Sequence, residues 1–480
     1  MLRFLRTSLC ALFIFCFPAD GFSQQITLDE ARFLARVALQ RGEPQLALNI
    51  AKGLLDANPK DPTALLIVAA AQSQLGNPIN GRRAAARAYR NAKDNRVKLD
   101  AASIAARLAL NAKRPTLTQI WLRRASQQTT DPIRQKQIAS DYRRVRAENP
   151  WSFDLDFSVR PSSNVNNGSD VSQFTVDGVD TIDGDGQLSA SSQALSGLIA
   201  QGQLNVGYRL RSNAKSRTDL LSRVRIQRVD LSDDARALAD QLVQDAIAAG
   251  DPAPDDPRNR DFGSTYTDLT LQHSFRVGTN PSNIALVSFG FGALWYGGDL
   301  QARVAQLRAS RRWAINPKTS FTLYGTYARR DQVGSTISDS NTLALQGAIM
   351  HKLDSGSALS VSLGVSDTRA DRFNLENTSW SLRSNYSFAK NWGPAKVTAG
   401  LSFQDTHFPQ YSVSTGVTTI AVPGGRQDQA FYADLKLFFE DYDYAGFAPE
   451  LTIRAGKRSS NVNRFDTREV SASIGIQSKF

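Results

Sequence analysis

Three histidines, His273, His351 and His407, stand far apart along the sequence, with none of the spacings that hold a metal ion. Both cysteines, Cys10 and Cys16, lie in one apolar stretch at the start of the chain. The segment beyond it has no thiol for a disulfide, a thiolate metal site or nucleophilic attack. No Gly-x-Ser-x-Gly elbow, Walker loop or dinucleotide loop occurs. Asp180, Asp183 and Asp185, with Gly184 and Gly186, resemble part of a calcium loop. The closing glutamate is missing, so an acidic surface loop is the better reading. Nothing points to an enzyme, and no cofactor or metal is expected. The chemistry left to this chain is that of charge.

That charge is unevenly placed. Residues 24–150 carry 22 Lys and Arg against 10 Asp and Glu, whereas residues 151–480 carry 33 against 34. The basicity therefore belongs to the front of the chain. Arg83, Arg87 and Arg90, with Arg82 beside them, fall on one face of a helical stretch, and Arg143, Arg144 and Arg146 form a second cluster. They suit an acidic client or anionic head groups at a membrane surface. The plain alternative is a solvated helix face. Nucleic acid is not an expected partner, because an exported protein meets little of it.

The elements that must position these groups follow from periodicity. Residues 1–23 read as a secretory signal: Arg3 and Arg6 precede an apolar run from Leu9 to Phe17 that is too short to span a membrane, and small and polar residues follow. Residues 24–148 favour helix and repeat. Arg41-Gly42-Glu43-Pro44 returns as Leu75-Gly76-Asn77-Pro78, a period of 34, with Ala51 aligned on Ala85. That is the tetratricopeptide spacing. Further breaks at Lys113-Arg114-Pro115 and Thr130-Asp131-Pro132 read as degenerate units. Such a stack offers a concave surface to peptide segments, or serves as a spacer.

From Trp151 the period becomes two. Phe153, Leu155, Phe157 and Val159 alternate with Asp154, Asp156, Ser158 and Arg160, and Val287, Phe289, Phe291 and Ala293 alternate with Ser288, Gly290 and Gly292. Fourteen such segments start near residues 151, 197, 215, 263, 283, 300, 317, 338, 357, 377, 393, 427, 447 and 466. Connections after the even segments are short, and several after the odd ones are long, at 161–196, 231–262 and 407–426. Short turns on one side and long loops on the other are the outer-membrane barrel arrangement. The expected fold is therefore a helical solenoid followed, over 149–480, by a fourteen-stranded antiparallel transmembrane barrel. Residues 24–148 would lie in the periplasm, the long loops would be extracellular, and membrane lipid would surround the barrel. Ser232 to Ala249 reads as a capped helix inside one long loop. Aromatic residues near strand ends, such as Trp151, Trp295, Trp313, Trp392 and Tyr442, suit interfacial girdles.

Strict alternation assigns Asp154, Asp156, Arg160, Arg209, Arg211, Glu450, Arg454 and Arg458 to the lumen. Mixed charge of this kind builds either a polar path or an internal salt-bridge lattice, and the lattice is favoured for most of them. Phe480 ends the last alternating segment, as in most outer-membrane barrels taken up by the insertion machinery.

The whole pattern resembles the surface lipoprotein assembly modulator (Slam) family. The residues that carry the likeness are Asn149-Pro150-Trp151 leading to Arg160-Pro161-Ser162-Ser163-Asn164-Val165-Asn166-Asn167-Gly168, then Ser310 to Trp313 and Tyr324 to Asp331, and finally Ala448-Pro449 through Arg458-Ser459-Ser460-Asn461-Val462 to Lys479-Phe480. The resemblance implies delivery of lipoproteins or related secreted proteins from the periplasm to the cell surface, a type XI secretion activity. Its partners would be the client, a periplasmic chaperone and the barrel-assembly machinery. A passive porin or polysaccharide exporter is a competing reading, and a surface receptor or colonisation factor is a third. Loss of one specific surface protein on gene deletion, or a small β-rich exported protein encoded next door, separates the first from the others.

Overall fold

The structure is a computed structural model that describes residues 26–170, 175–176, 179–180, 188–334, 338–414, 419–442 and 447–478. The signal segment, Asp183, Asp185 and Phe480 lie outside the described residues. The chain forms two compact units that divide between Val145 and Arg146.

The first unit is a run of helices: α1 (Leu28–Gln40), α2 (Pro44–Ala57), α3 (Pro62–Gln74), α4 (Pro78–Asn91), α5 (Asn95–Asn111), α6 (Pro115–Ser126) and α7 (Pro132–Glu148). Most begin on a proline, which lacks an N–H that the first helical turn could not have used. Asp61 caps α3, accepting from Thr63 N at 2.9 Å, and takes two bonds from the Arg32 guanidinium at 3.0 and 2.8 Å. Helix pairs close on small residues. Ala35, Ala38, Ala47, Ala51 and Ala71 form a core with Leu48 and Ile67. Dispersion contacts and removal of apolar surface from water reward that close approach.

The repeat continues further than its sequence shows. Gly42 and Gly76 both sit at φ 76°, and Lys113 takes the same place at φ 54°. At each corner the next amide bonds back five residues: Glu43 N to Ala38 O, Asn77 N to Gln72 O and Arg114 N to Ala109 O, at 2.8–2.9 Å. The turn is the same one three times, and the third uses a lysine where the backbone favours glycine. The unit is thus a tetratricopeptide-like solenoid of three hairpins and a closing helix.

The second unit is a closed antiparallel barrel of fourteen strands. They are β1 (Trp151–Ser162), β2 (Gly197–Ser212), β3 (Ser216–Leu231), β4 (Ser264–Arg276), β5 (Ile284–Tyr296), β6 (Asp299–Ala314), β7 (Thr319–Gln332), β8 (Ser340–Lys352), β9 (Ala358–Ala370), β10 (Asn377–Ser387), β11 (Lys396–Phe408), β12 (Arg426–Phe438), β13 (Phe447–Ser460) and β14 (Thr467–Ser478). Each start lies within three residues of the expected one. Closure comes from β1 against β14, with Phe157 opposite Ile476 and Val159 opposite Ile474. Closing the sheet leaves no unpaired edge, the condition for crossing lipid with strands.

Burial is inverted relative to the helical unit. Phe153, Leu155, Phe157, Phe289, Phe291, Leu343, Leu345, Val470 and Ile474 are all exposed on the outer wall. Cross-strand partners share a face, so the register carries this outer set from strand to strand. The alternate positions face a polar lumen. An apolar band outside and polar residues inside define a transmembrane β-barrel of the outer-membrane type. At the short-turn end Trp151 packs on Tyr208, Trp313 on Phe321 and Trp392 on Phe388, with ring centroids 4.6, 5.6 and 5.0 Å apart. At the other end Gly297 and Gly298 close the β5–β6 hairpin with φ of 63° and 100°. A two-residue turn with positive φ at both positions matches strand twist, and glycine adopts it without a Cβ clash.

Candidate functional site

The lumen and its cover at the long-loop end are the candidate site. Register places Asp154, Asp156, Arg160, Arg209, Glu450, Arg454 and Arg458 on the inner wall. Arg211 is corrected. The β2–β3 register shifts between Arg209 and Arg211, and Arg211 then pairs with Thr218. Thr218 bonds His273 Nδ1 at 2.8 Å on the outer face, so the extra residue turns Arg211 outward. Arg209 stays inside and donates to Ala147 O at 2.7 Å.

The inner wall divides into two arcs. From β10 round to β1 most of its basic charges are paired, Arg458 being without a carboxylate partner among the described residues. Arg160 and Arg454 both meet Glu469, at 3.0 and 3.8 Å; Lys436 meets Glu450 at 2.9 Å; Arg383 meets Asp434 at 3.0 Å. Arg454 also lies over the Tyr432 ring at 4.2 Å. This is the lattice. From β3 to β7 the wall carries Arg223, Arg225, Arg276, Arg308 and Arg312, and of these only Arg223 pairs with a carboxylate among the described residues, Asp268 at 3.2 Å. Sequence reasoning missed this arc. The signal was present: Leu307 and Ala309 alternate with Arg308 and Ser310 as plainly as Phe153 does with Asp154.

At the long-loop end the connections fold over the inner wall. Ile199, Val229 and Leu231 are lumen-facing, and they form a buried core with Val165, Leu195, Ala235 and Phe262. Ala235 belongs to α8 (Asp233–Ala248), which Ser232 caps by accepting from Ala235 N at 3.1 Å. A second cluster joins Ala190 to Ala239 and Leu242 of that helix. A third sets Leu188 against Val413, Val422 and Val462. The loop between β1 and β2 contributes to all three, so it bridges the rim from β3 round to β11. Its Asn164-Val165-Asn166-Asn167-Gly168 motif ties it down. The Asn164 side chain exchanges bonds with the Gly168 backbone at 2.7 and 2.9 Å, while Asn166 donates to Ser191 O and Gln193 O and accepts from Leu195 N. A Cβ on Gly168 would meet Gln193 O at 2.1 Å, which restricts that position to glycine.

Arg426 is the bolt of this cover. Its guanidinium lies between the rings of Phe408 and Phe465, at 3.9 and 3.6 Å, and pairs with Asp428 at 2.9 Å. Both charged side chains are about a tenth exposed, at 11% and 9%. Two ring faces and a carboxylate compensate the desolvated cation.

In the helical unit Arg83, Arg87 and Arg90 are exposed on one face of α4. Arg82 leaves that face. It is half-buried, and burial, then the nearby Arg114 and Arg83, hold its pKa below the ordinary arginine value. Arg143 and Arg144 are exposed on α7, with Arg144 paired to Asp141 at 3.0 Å. Arg146, where the barrel unit begins, lines a lumen cavity instead. A cavity of about 460 Å³ with a floor of Leu99, Leu110, Leu122 and Val145 lies between α5, α6 and α7, edged by Arg107, Arg134 and Arg144. Among the described residues no group of acidic or histidine side chains is arranged to hold a metal ion.

Neither a protein-family model nor a curated protein matches this chain. Solved structures do. A BenF-like porin from Pseudomonas fluorescens Pf-5 is 9% identical, with 68% of this chain and 98% of that one covered and a TM-score of 0.35. A loop-deletion form of OmpT, an outer membrane protein of Vibrio cholerae, is 9% identical over 69% and 99%, TM-score 0.33. Over the helices, the Yersinia enterocolitica type III secretion translocator chaperone SycD is 16% identical over 26% and 88%, TM-score 0.23. Scores of this size carry no weight for activity.

Proposed function

We propose that the chain is an outer-membrane translocator that delivers lipoproteins or related secreted proteins to the cell surface, as the resemblance to the surface lipoprotein assembly modulator family implies. The observation that carries this reading is the junction of two elements. A peptide-binding type of helical solenoid runs into the first strand through only Asn149 and Pro150, at the short-turn end of a barrel with a polar lumen. In the outer membrane that end faces the periplasm. A client or its chaperone would engage the solenoid, whose apolar groove at α5–α7 is rimmed by arginines, and pass to the lumen beneath the loop cover. Client folding outside, hand-off from a chaperone or the barrel-assembly machinery would drive the passage.

Deletion of the gene followed by surface proteolysis of intact cells tests this. Loss of one specific protein from the surface, with its retention in the periplasm, is the expected result. An unchanged set of surface proteins together with altered uptake of small solutes would sink the proposal in favour of a passive porin.

A further inference from the structure

The barrel's formal charges are balanced, 33 basic against 34 acidic over residues 151–480, but the fold separates them. The acid collects at the long-loop end: residues 232–263 alone hold eight aspartates against three arginines. The lumen keeps the base. On the β10–β1 arc Arg160, Lys436, Arg383 and Arg454 have carboxylate partners and Arg458 has none, whereas on the β3–β7 arc four, Arg225, Arg276, Arg308 and Arg312, have none among the described residues. A polar lumen with low-dielectric walls focuses such a field rather than dispersing it.

A cavity of about 480 Å³ opens on this arc. Arg308 and Arg146 line it, with Gln272, Gln306 and Ser288 as neutral donors. Two carboxylates also line it, Asp268 in an ion pair with Arg223 at 3.2 Å and Asp154 accepting from the Asn205 amide at 3.3 Å, so the lining carries three arginines, Arg146, Arg223 and Arg308, against two aspartates. The volume falls in the range of small-molecule sites, and an unpaired guanidinium presents the fork that matches a carboxylate.

We infer that this lumen cavity binds small organic anions bearing carboxylate groups, with Arg308 as the recognising side chain. The inference stands whether or not the chain delivers proteins to the surface. Citrate is the probe, titrated calorimetrically into the full-length protein in detergent. Wild type binds citrate, and binding weakens as KCl is raised. Arg308→Gln weakens it at least tenfold; Gln272→Leu, on the same cavity wall, weakens it about threefold, the loss of a neutral donor. Lys52→Gln in the helical unit leaves it unchanged. Each variant's heat-modifiable mobility on gels reports that the barrel has formed, and the Gln272 variant serves if the Arg308 variant does not fold. Absence of citrate binding by wild type, or equal affinity in a folded lumen variant, overturns the assignment.

Discussion

Lys113 holds a backbone conformation that the two equivalent corners give to Gly42 and Gly76. A left-handed φ costs an L-residue with a Cβ roughly 1–2 kcal/mol, part of which glycine returns through a more flexible unfolded chain. Lys113→Gly is therefore expected to stabilise the helical unit by about 0.5–1 kcal/mol. The urea midpoint of the helical circular-dichroism signal in the full-length protein reports it, and an unchanged or lower midpoint refutes the shared-corner reading. The same residue shows why the third repeat was hard to see in the sequence. A repeat is recognised by its glycine, and here the hydrogen bonds kept the turn after the glycine was gone. Arg211 shows the reverse limit. Alternation assigns faces only while register holds, and a single inserted residue in β2 sends its side chain to the other wall.

Strands and helices were legible because each carries its own signal. Period two, proline at helix starts and glycine or asparagine at turns are local properties, and strand starts read from them fall within three residues of the structure. The cover was not legible. It assembles from the β1–β2, β3–β4, β11–β12 and β13–β14 connections, and only the capped helix α8 announced itself, through Ser232. What holds the cover is long-range: aliphatic clusters and one cation between two rings. Arg426→Leu tests that element. It removes the partner of Asp428, which is 7% exposed, and leaves a desolvated carboxylate, a loss of about 3–5 kcal/mol when a buried pair is broken on one side. The expected outcome is a cover that opens while the barrel stays intact. Added protease should cut within 409–425 on intact cells expressing the variant and spare the same loop in wild type. Equal resistance would show that the aliphatic clusters suffice without Arg426.

At the scale of the molecule, the balanced charge count of the barrel hid its functional content, because composition is blind to which wall a residue faces. Only register separates a paired arc from an unpaired one. Sidedness is a further property of the whole chain. The short turns and the entry to β1 belong to one end, the cover and α8 to the other, and the proposed function requires the first to face the periplasm and the second the exterior. The sequence supplies its own clean background for testing this, since its only cysteines are Cys10 and Cys16, in the segment read as a signal. Single cysteines can then be placed at Ala253, in the exposed connection after α8, and at Asn213, in the β2–β3 turn. A membrane-impermeant maleimide applied to intact cells should label Ala253→Cys and leave Asn213→Cys unlabelled. Permeabilising the outer membrane should make both react. Labelling of Asn213→Cys alone on intact cells would invert the barrel and place the solenoid outside the cell, where a periplasmic client could never reach it. Labelling of Ala253→Cys alone leaves the solenoid and the short-turn mouth facing the one compartment from which an exported client can enter.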